Sequence, residues 1–320
     1  MKYKSSENIQ FDLLENGLDF VTSGLEHILK DHSPHQLKYA ILHLSAGTEL
    51  ILKEVLKNEH WSLIFENANL AKFELLNTGE FKSVDFETLL IRLVNVCEIE
   101  LSEKEKSILR QLKKLRNKIE HFEFNENVQA IKSLSSKVLC LILSFINNNF
   151  DFKSLSLTSQ DYLERLREAL AKFKEFVNLR AAQIKSEIEL AQREFKIESC
   201  PLCRQSALVL NEPLECLFCG YSDEPQKVAI LYAENILGES HYLCMTDGGE
   251  FPVNDCIHCD EIDTFVAKGS EGYVCFNCFE TNQNDDLKSC NECGQIFESD
   301  IKDGLDICEY CAEYLFNKYD

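Results

Sequence analysis

The stretch LRNKIEHF, Leu115 to Phe122, ends a segment whose apolar residues fall at Ile108, Leu112, Leu115, Ile119 and Phe122. Steps of three and four mark the buried stripe of one α-helix. Ser102 followed by Glu105 reads as the capping box that starts it. At roughly 100° per residue, Arg116 and Glu120 flank the stripe, while Asn117 and His121 lie away from it. Lys113, Lys114 and Lys118 crowd the same turns. Arginine clamps a phosphate through two parallel hydrogen bonds, and histidine titrates near neutral pH. The face therefore suits phosphate chemistry, with Arg116 and His121 as candidate site residues. The competing reading is an ordinary solvated face.

Working outward, the segments on either side also read as helices. Phe11 to Lys30 is amphipathic. Ser33-Pro34 is a helix entry, with serine as cap and proline in the first turn. The helix it starts runs to about Leu56, with Leu37, Ile41, Leu44, Thr48 and Val55 on one side. Residues 61–80 hold a short helix and a loop. Phe86 to Val96 and Asn125 to Asn147 complete a bundle of about five helices over residues 1–150. Its most apolar run, Val138 to Ile146, is too short to span a bilayer and reads as core. His27, His32, His35, His43 and His60 lack spaced partners and read as structural or surface histidines. Cys97 and Cys140 read as buried small hydrophobes.

Residues 151–197 predict one long connecting helix, from about Ser159 to Phe195. Leu163, Leu166, Leu170, Phe173 and Val177 step by three and four, and Ala181, Ile184, Ile188, Ala191 and Phe195 resume the pattern. This is a coiled-coil seam with one stutter, extending on the order of 55 Å. Such a rod packs along the bundle or pairs with a second chain.

The rest of the chain is organised by cysteine. Of 15 cysteines, twelve form six C-x2-C pairs, all after residue 199. Cys200, Cys203, Cys216 and Cys219 make a first quartet. Cys256, Cys259, Cys275 and Cys278 make a second, and Cys290, Cys293, Cys308 and Cys311 a third. Each has the spacing of a zinc ribbon, in which two knuckles give four thiolates to one tetrahedral Zn²⁺. About three Zn²⁺ per chain are expected, structural because no coordination position is left open. Iron in a rubredoxin-like site is the alternative metal. Sequential pairing is the default, and cross-bracing of the second and third quartets stays open. The expected ribbons span 198–224, 251–282 and 283–320, with a connector at 225–250. Cys244 is unpaired, His241-x2-Cys244 lacks a second pair, and His258 reads as a bystander inside its knuckle. A thioredoxin-like redox role fits poorly, since such motifs open a helix singly.

The net charge of -21 is uneven. Residues 198–320 hold 25 acidic and 6 basic residues, net -19, whereas residues 1–197 are net -2. The cysteine half should repel nucleic acid and suits regulation or the docking of a basic protein partner, while the helical half tolerates phosphates. The start, MKYKSSENIQ, has no apolar signal region, and clustered metal-type cysteines suit a reducing compartment. A cytoplasmic protein without membrane segments is expected.

Arg116-Asn117-x-x-x-His121, late in an all-helical N-terminal domain, resembles the RX4-6H motif of the HEPN superfamily, in which a polar residue follows the arginine. HLSAGTELILKEVL, His43 to Leu56, resembles that family's first core helices. The resemblance covers about the first half of the chain. It implies a metal-independent endoribonuclease that acts as a homodimer and leaves a 2',3'-cyclic phosphate. Arg116 would stabilise charge on the phosphorane, His121 would be general acid or base, and Asn117 would orient the phosphate or the histidine. Lys113, Lys114 and Lys118 would be RNA-binding, and Glu49 would lie behind the motif. The implied biology is that of a toxin or an antiviral-defence effector. Glu123 stands where members silenced by tyrosine modification carry tyrosine, so that control is not expected. The alternative is a non-catalytic adaptor that dimerises and recruits a protein. The expected fold is thus mainly α: a HEPN-like bundle, a long coiled-coil-like helix, and small β-rich tandem four-cysteine zinc ribbons.

Overall fold

The computed structural model describes residues 10–30, 33–240, 242, 244, 246, 251–283, 287–298 and 306–319. His32 and His241 lie outside them. The chain divides into two compact units, Met1–Gln183 and Ile184–Asp320.

The first unit is helical and starts from a tight hairpin, α1 (Leu13–Lys30) against α2 (Pro34–Glu59). Ser33 caps α2 by accepting from the Gln36 backbone, with Pro34 in the first turn. Gly17 faces Gly47 and Ile51, and Gly24 faces Ala40 and Leu44, so the helices run antiparallel. A Cβ added at Gly47 would stand 2.6 Å from the Gly17 carbonyl oxygen. Glycine inside a helix costs about 1 kcal/mol. Here it permits backbone contact that seals Leu18, Val21, Leu25, Ile41 and Leu44 from water. After a short α3 (Phe73–Thr78), Asp85 caps α4 (Phe86–Asn95) by accepting from the Glu87 and Thr88 amides. Arg92 of α4 ties down the preceding loop by donating to the carbonyls of Leu63, Phe65 and Glu66.

The motif helix, α5 (Glu103–His121), opens on the expected reciprocal Ser102–Glu105 capping box. It packs against α2 and α6 (Val128–Asn149). Among the described residues, α6 is the one helix long and apolar enough to cross a membrane. Its most apolar window is 67% buried inside the unit, as a core helix requires.

Three expectations fail here. Leu109, Leu112 and Ile119 are the buried positions of α5, whereas Phe122 is 76% exposed. The helix stops at His121, and the extended cap turns the next residue out of the stripe. The long rod is two helices, α7 (Leu157–Leu170) and α8 (Lys174–Ala191). No glycine or proline marks the break. Lys172 and Phe173 donate tight i−3 bonds to Ala169 and Leu170, and the turn buries both Phe173 and Phe176. Tertiary burial wins over the coiled-coil period, and Ala181 of the supposed seam is exposed. Lastly, Cys97 is half-buried beyond the end of α4. Cys140 is buried as expected, and burial pushes its thiol up to about 12.

The second unit consists of small antiparallel sheets. β1 (Ile197–Ser199), β2 (Ser206–Val209) and β3 (Glu215–Cys216) pair in chain order. So do β4 (Val253–Asn254), β5 (Phe265–Ala267), β6 (Tyr273–Cys275) and β7 (Thr281–Asn282), while β8 (Leu287–Ser289) and β9 (Ile296–Glu298) form a hairpin. The expected connector carries α9 (Pro225–Tyr232), prolonged by one π-helical turn to Leu237. Tyr232 of α9 donates to Glu198 at 2.9 Å and lies 5.1 Å from the Phe276 ring, and Lys268 donates to the same glutamate at 2.7 Å. These contacts join the first and second cysteine quartets. The third quartet is less β-rich than expected, because its last knuckle opens α10 (Glu309–Tyr319).

Candidate functional site

The last two turns of α5 carry the candidate phosphate site. Arg116 Nη1 lies 2.9 Å from Glu120 Oε2 and donates to Asn117 Oδ1 at 3.0 Å. His121 Nε2 stands 3.9 Å from the same Glu120 oxygen. One carboxylate thus sits between guanidinium and imidazole. Glu120 had a legible signal, since Arg116 and Glu120 are spaced i, i+4. Arg116 and His121 are five residues apart on one helix, roughly 7.5 Å along it and about 140° around it. Their side chains nonetheless reach one point, since the same Glu120 oxygen lies 2.9 Å from Arg116 and 3.9 Å from His121. Glu49 is paired within its own helix: Lys53 donates to it at 2.6 Å and to Ser83 at 3.0 Å.

Beside this row lies a cavity of about 420 Å³ lined by Lys113, Lys114, Asn117, Lys118 and Phe122, with Arg110 and Glu87 at its other end. The structure brings all three predicted lysines together there and leaves Arg116 and His121 outside the lining. Asn117 belongs to both places. Arg110 is held by Glu87 at 3.0 and 3.1 Å, and Lys118 by Glu126 at 2.7 Å. Lys113 sits 4.7 Å over the Phe86 ring, and Lys114 is exposed. Sequence reasoning misses Phe122 and Arg110 as site residues: periodicity puts the first in the core, and the second is marked by its ion pair with Glu87 of α4.

The second candidate site is threefold. Each predicted quartet is assembled sequentially, with its four sulfurs within 4.8 Å of one another. Cys200–Cys219 and Cys203–Cys216 lie at 3.8 and 3.7 Å, Cys256–Cys278 and Cys259–Cys275 at 3.7 and 3.9 Å, and Cys293–Cys308 at 3.7 Å. A disulfide would bring sulfurs to ~2.05 Å. Four sulfurs each ~2.3 Å from one tetrahedral ion stand about 3.8 Å apart, so the spacing fits a metal. Burial pushes the Cys216 and Cys219 thiols up, so they ionise readily only against a cation.

The knuckles share one backbone design. The residue after the second cysteine is left-handed in five of six: Arg204, Gly220, Asp260, Phe279 and Gly294, with φ between 57 and 75°. In those five, the first cysteine's N–H donates at 2.9 Å to the carbonyl five residues on. Glycine at two of these positions was legible, and the other three show that the turn is enforced by closure of the knuckle. The sixth, Cys308-x2-Cys311, forms the start of α10 instead. Cys244 belongs to none and contacts Glu239 at 3.9 Å. His258 bonds Asn282 at 2.7 Å and stays outside the second quartet, as expected.

Two histidines expected to be unremarkable meet across the α1–α2 hairpin. The His27 and His43 rings are 5.1 Å apart, and His43 Nδ1 pairs with Ser23 Oγ at 3.0 Å. Burial and then His27 lower the pKa of His43, with Asp19 opposing.

No protein-family model, curated protein or solved structure matches this chain.

Proposed function

We propose that the chain is a metal-independent endoribonuclease of HEPN type, with three structural Zn²⁺ in its acidic cysteine half. The observation that carries the first part is the Arg116–Asn117–Glu120–His121 row beside a lysine-lined cavity. Arg116 meets the scissile phosphate once the strand displaces Glu120. The 2'-oxygen attacks phosphorus and the bond to the 5'-oxygen breaks, leaving a 2',3'-cyclic phosphate. His121 takes the proton from the 2'-hydroxyl or returns one to the departing 5'-oxygen. The HEPN resemblance implies that two copies of α5 face each other across an interface, which makes the working form a homodimer. Toxin or antiviral-defence activity fits such an enzyme.

The test is to incubate the wild type, Arg116→Ala and His121→Ala with total RNA and to map the new ends. Cutting that yields cyclic phosphates, persists in chelator and is lost in both variants is expected. Equal cutting by all three proteins overturns the assignment. One observation favours a second reading, a non-catalytic adaptor: Arg116 already has a carboxylate partner in Glu120. That reading gains if no RNA is cut and the acidic half retains a basic protein. For the metal, elemental analysis should return about three zinc ions per chain, and iron is the outcome that revises it.

A further inference from the structure

Phe122 is the residue of α5 that its own sequence pattern misplaces. It caps the helix in an extended conformation, its N–H bonded to the Lys118 carbonyl at 3.0 Å, and its ring is 76% exposed at the edge of the 420 Å³ cavity. A single exposed apolar side chain is ordinary on a protein surface. What distinguishes this one is its neighbours. Four cations line the cavity, Arg110, Lys113, Lys114 and Lys118, against the carboxylates of Glu87 and, on Lys118, Glu126. Among the lining side chains themselves the surplus is positive, in a chain whose net charge is -21. The walls are aliphatic lysine stems and a phenyl ring, and Asn117 adds an amide able to bond a base edge. An exposed ring flanked by cations is the arrangement that stacks a base and holds its phosphates.

We propose that Phe122 is a stacking platform for an unpaired RNA base, with Lys113, Lys114 and Lys118 on the flanking phosphates. The ligand is single-stranded, because a base in a duplex has both faces covered already. An acidic peptide would satisfy the cations but leave the ring without a partner. The inference rests on the RNA reading above and assigns the substrate class that its site accepts.

Binding tests it separately from cutting. Full-length His121→Ala, which leaves the strand intact, is titrated into a fluorescein-labelled single-stranded RNA 12-mer and into the matching duplex, by anisotropy at two salt concentrations. The single strand should bind more tightly than the duplex. Adding Phe122→Leu should weaken single-strand binding about tenfold, while Phe122→Trp keeps it. Lys114→Glu should weaken it and flatten the salt dependence. Circular dichroism confirms the fold of each variant. Failure of the single strand to bind, equal binding of the duplex, unchanged binding by Phe122→Leu, or equal displacement by a polyglutamate peptide whether or not Phe122 is present would each overturn the proposal. If the wild type cuts no RNA but Phe122-dependent binding persists, the nuclease reading fails and this one stands. If the wild type cuts and Phe122→Leu cuts and binds equally well, this one fails alone.

Discussion

The helical unit and the cysteine unit close their cores in different ways. In the first, long helices bury leucine and isoleucine against one another, and α1 and α2 meet through glycines at backbone distance. In the second, strands of two to four residues offer little apolar surface, and the cysteine quartets occupy the centres of the small cores. Sheets this short are not independently stable in water. The difference teaches that one chain has two kinds of core, one closed by helix packing and one built around cysteine quartets that could hold a metal ion.

Metal removal should break the comparison open most widely. Stripping the full chain with a strong chelator under reducing conditions should make residues 198–320 sensitive to protease while the helical far-UV signal persists. A structural Zn²⁺ site is worth about 10–16 kcal/mol, so the loss should be complete. If the chelated cysteine unit stays protected, its sheets are self-sufficient and the contrast is wrong.

The mirror experiment strikes the hairpin. Gly47→Val places carbon 2.6 Å from the Gly17 carbonyl, which backbone rather than a flexible tip must absorb. A loss of about 3 kcal/mol is expected in urea melts followed by helix signal, with zinc content unchanged. A loss below about 0.5 kcal/mol, on the order of a surface change, would mean that the hairpin is not tightly locked.

A smaller change sharpens the knuckle side. Arg204 is exposed and adopts φ 60°, a left-handed turn that glycine takes without strain. Arg204→Gly should stabilise the first quartet by about 0.5–1 kcal/mol, read as slower zinc loss to a competing chelator. Faster loss would show that the arginine side chain supports the site.

The smallest expected effect concerns Glu54 of α2. Burial raises its pKa above the ordinary 4.5, and the Lys57 pair, at 3.0 Å, opposes this. The folded carboxyl holds its proton at a pH where the unfolded one has released it. The group therefore favours folding most in acid, and that contribution falls as pH rises above 4.5. Glu54→Gln should gain up to about 1 kcal/mol at pH 7, with the gain shrinking toward pH 4. A loss at pH 7 would mean that the Lys57 bond outweighs burial.

Local signals were the legible ones. Ser33 and Ser102 each act within three residues, so these helix starts could be read directly. Cysteine spacing carried all three quartets for the same reason, since C-x2-C holds its two sulfurs close whether it forms a knuckle turn or opens a helix. Periodicity was weaker. It ran straight through the α7–α8 break and assigned Phe122 to the core, because a repeat of three and four does not say where a helix stops. Of the candidate site, Arg116, Asn117, His121 and the lysines were read from one helix, while Glu87 enters through its ion pair with Arg110.

The sequence by itself therefore determined which elements exist, where the helices begin and which cysteines share a centre, because these depend on groups close along the chain. The tertiary structure alone decided that Phe122 faces solvent beside the lysines and that α7 and α8 part at Phe173. Those outcomes are set by which surfaces are covered, and a side chain's cover comes from residues remote in sequence.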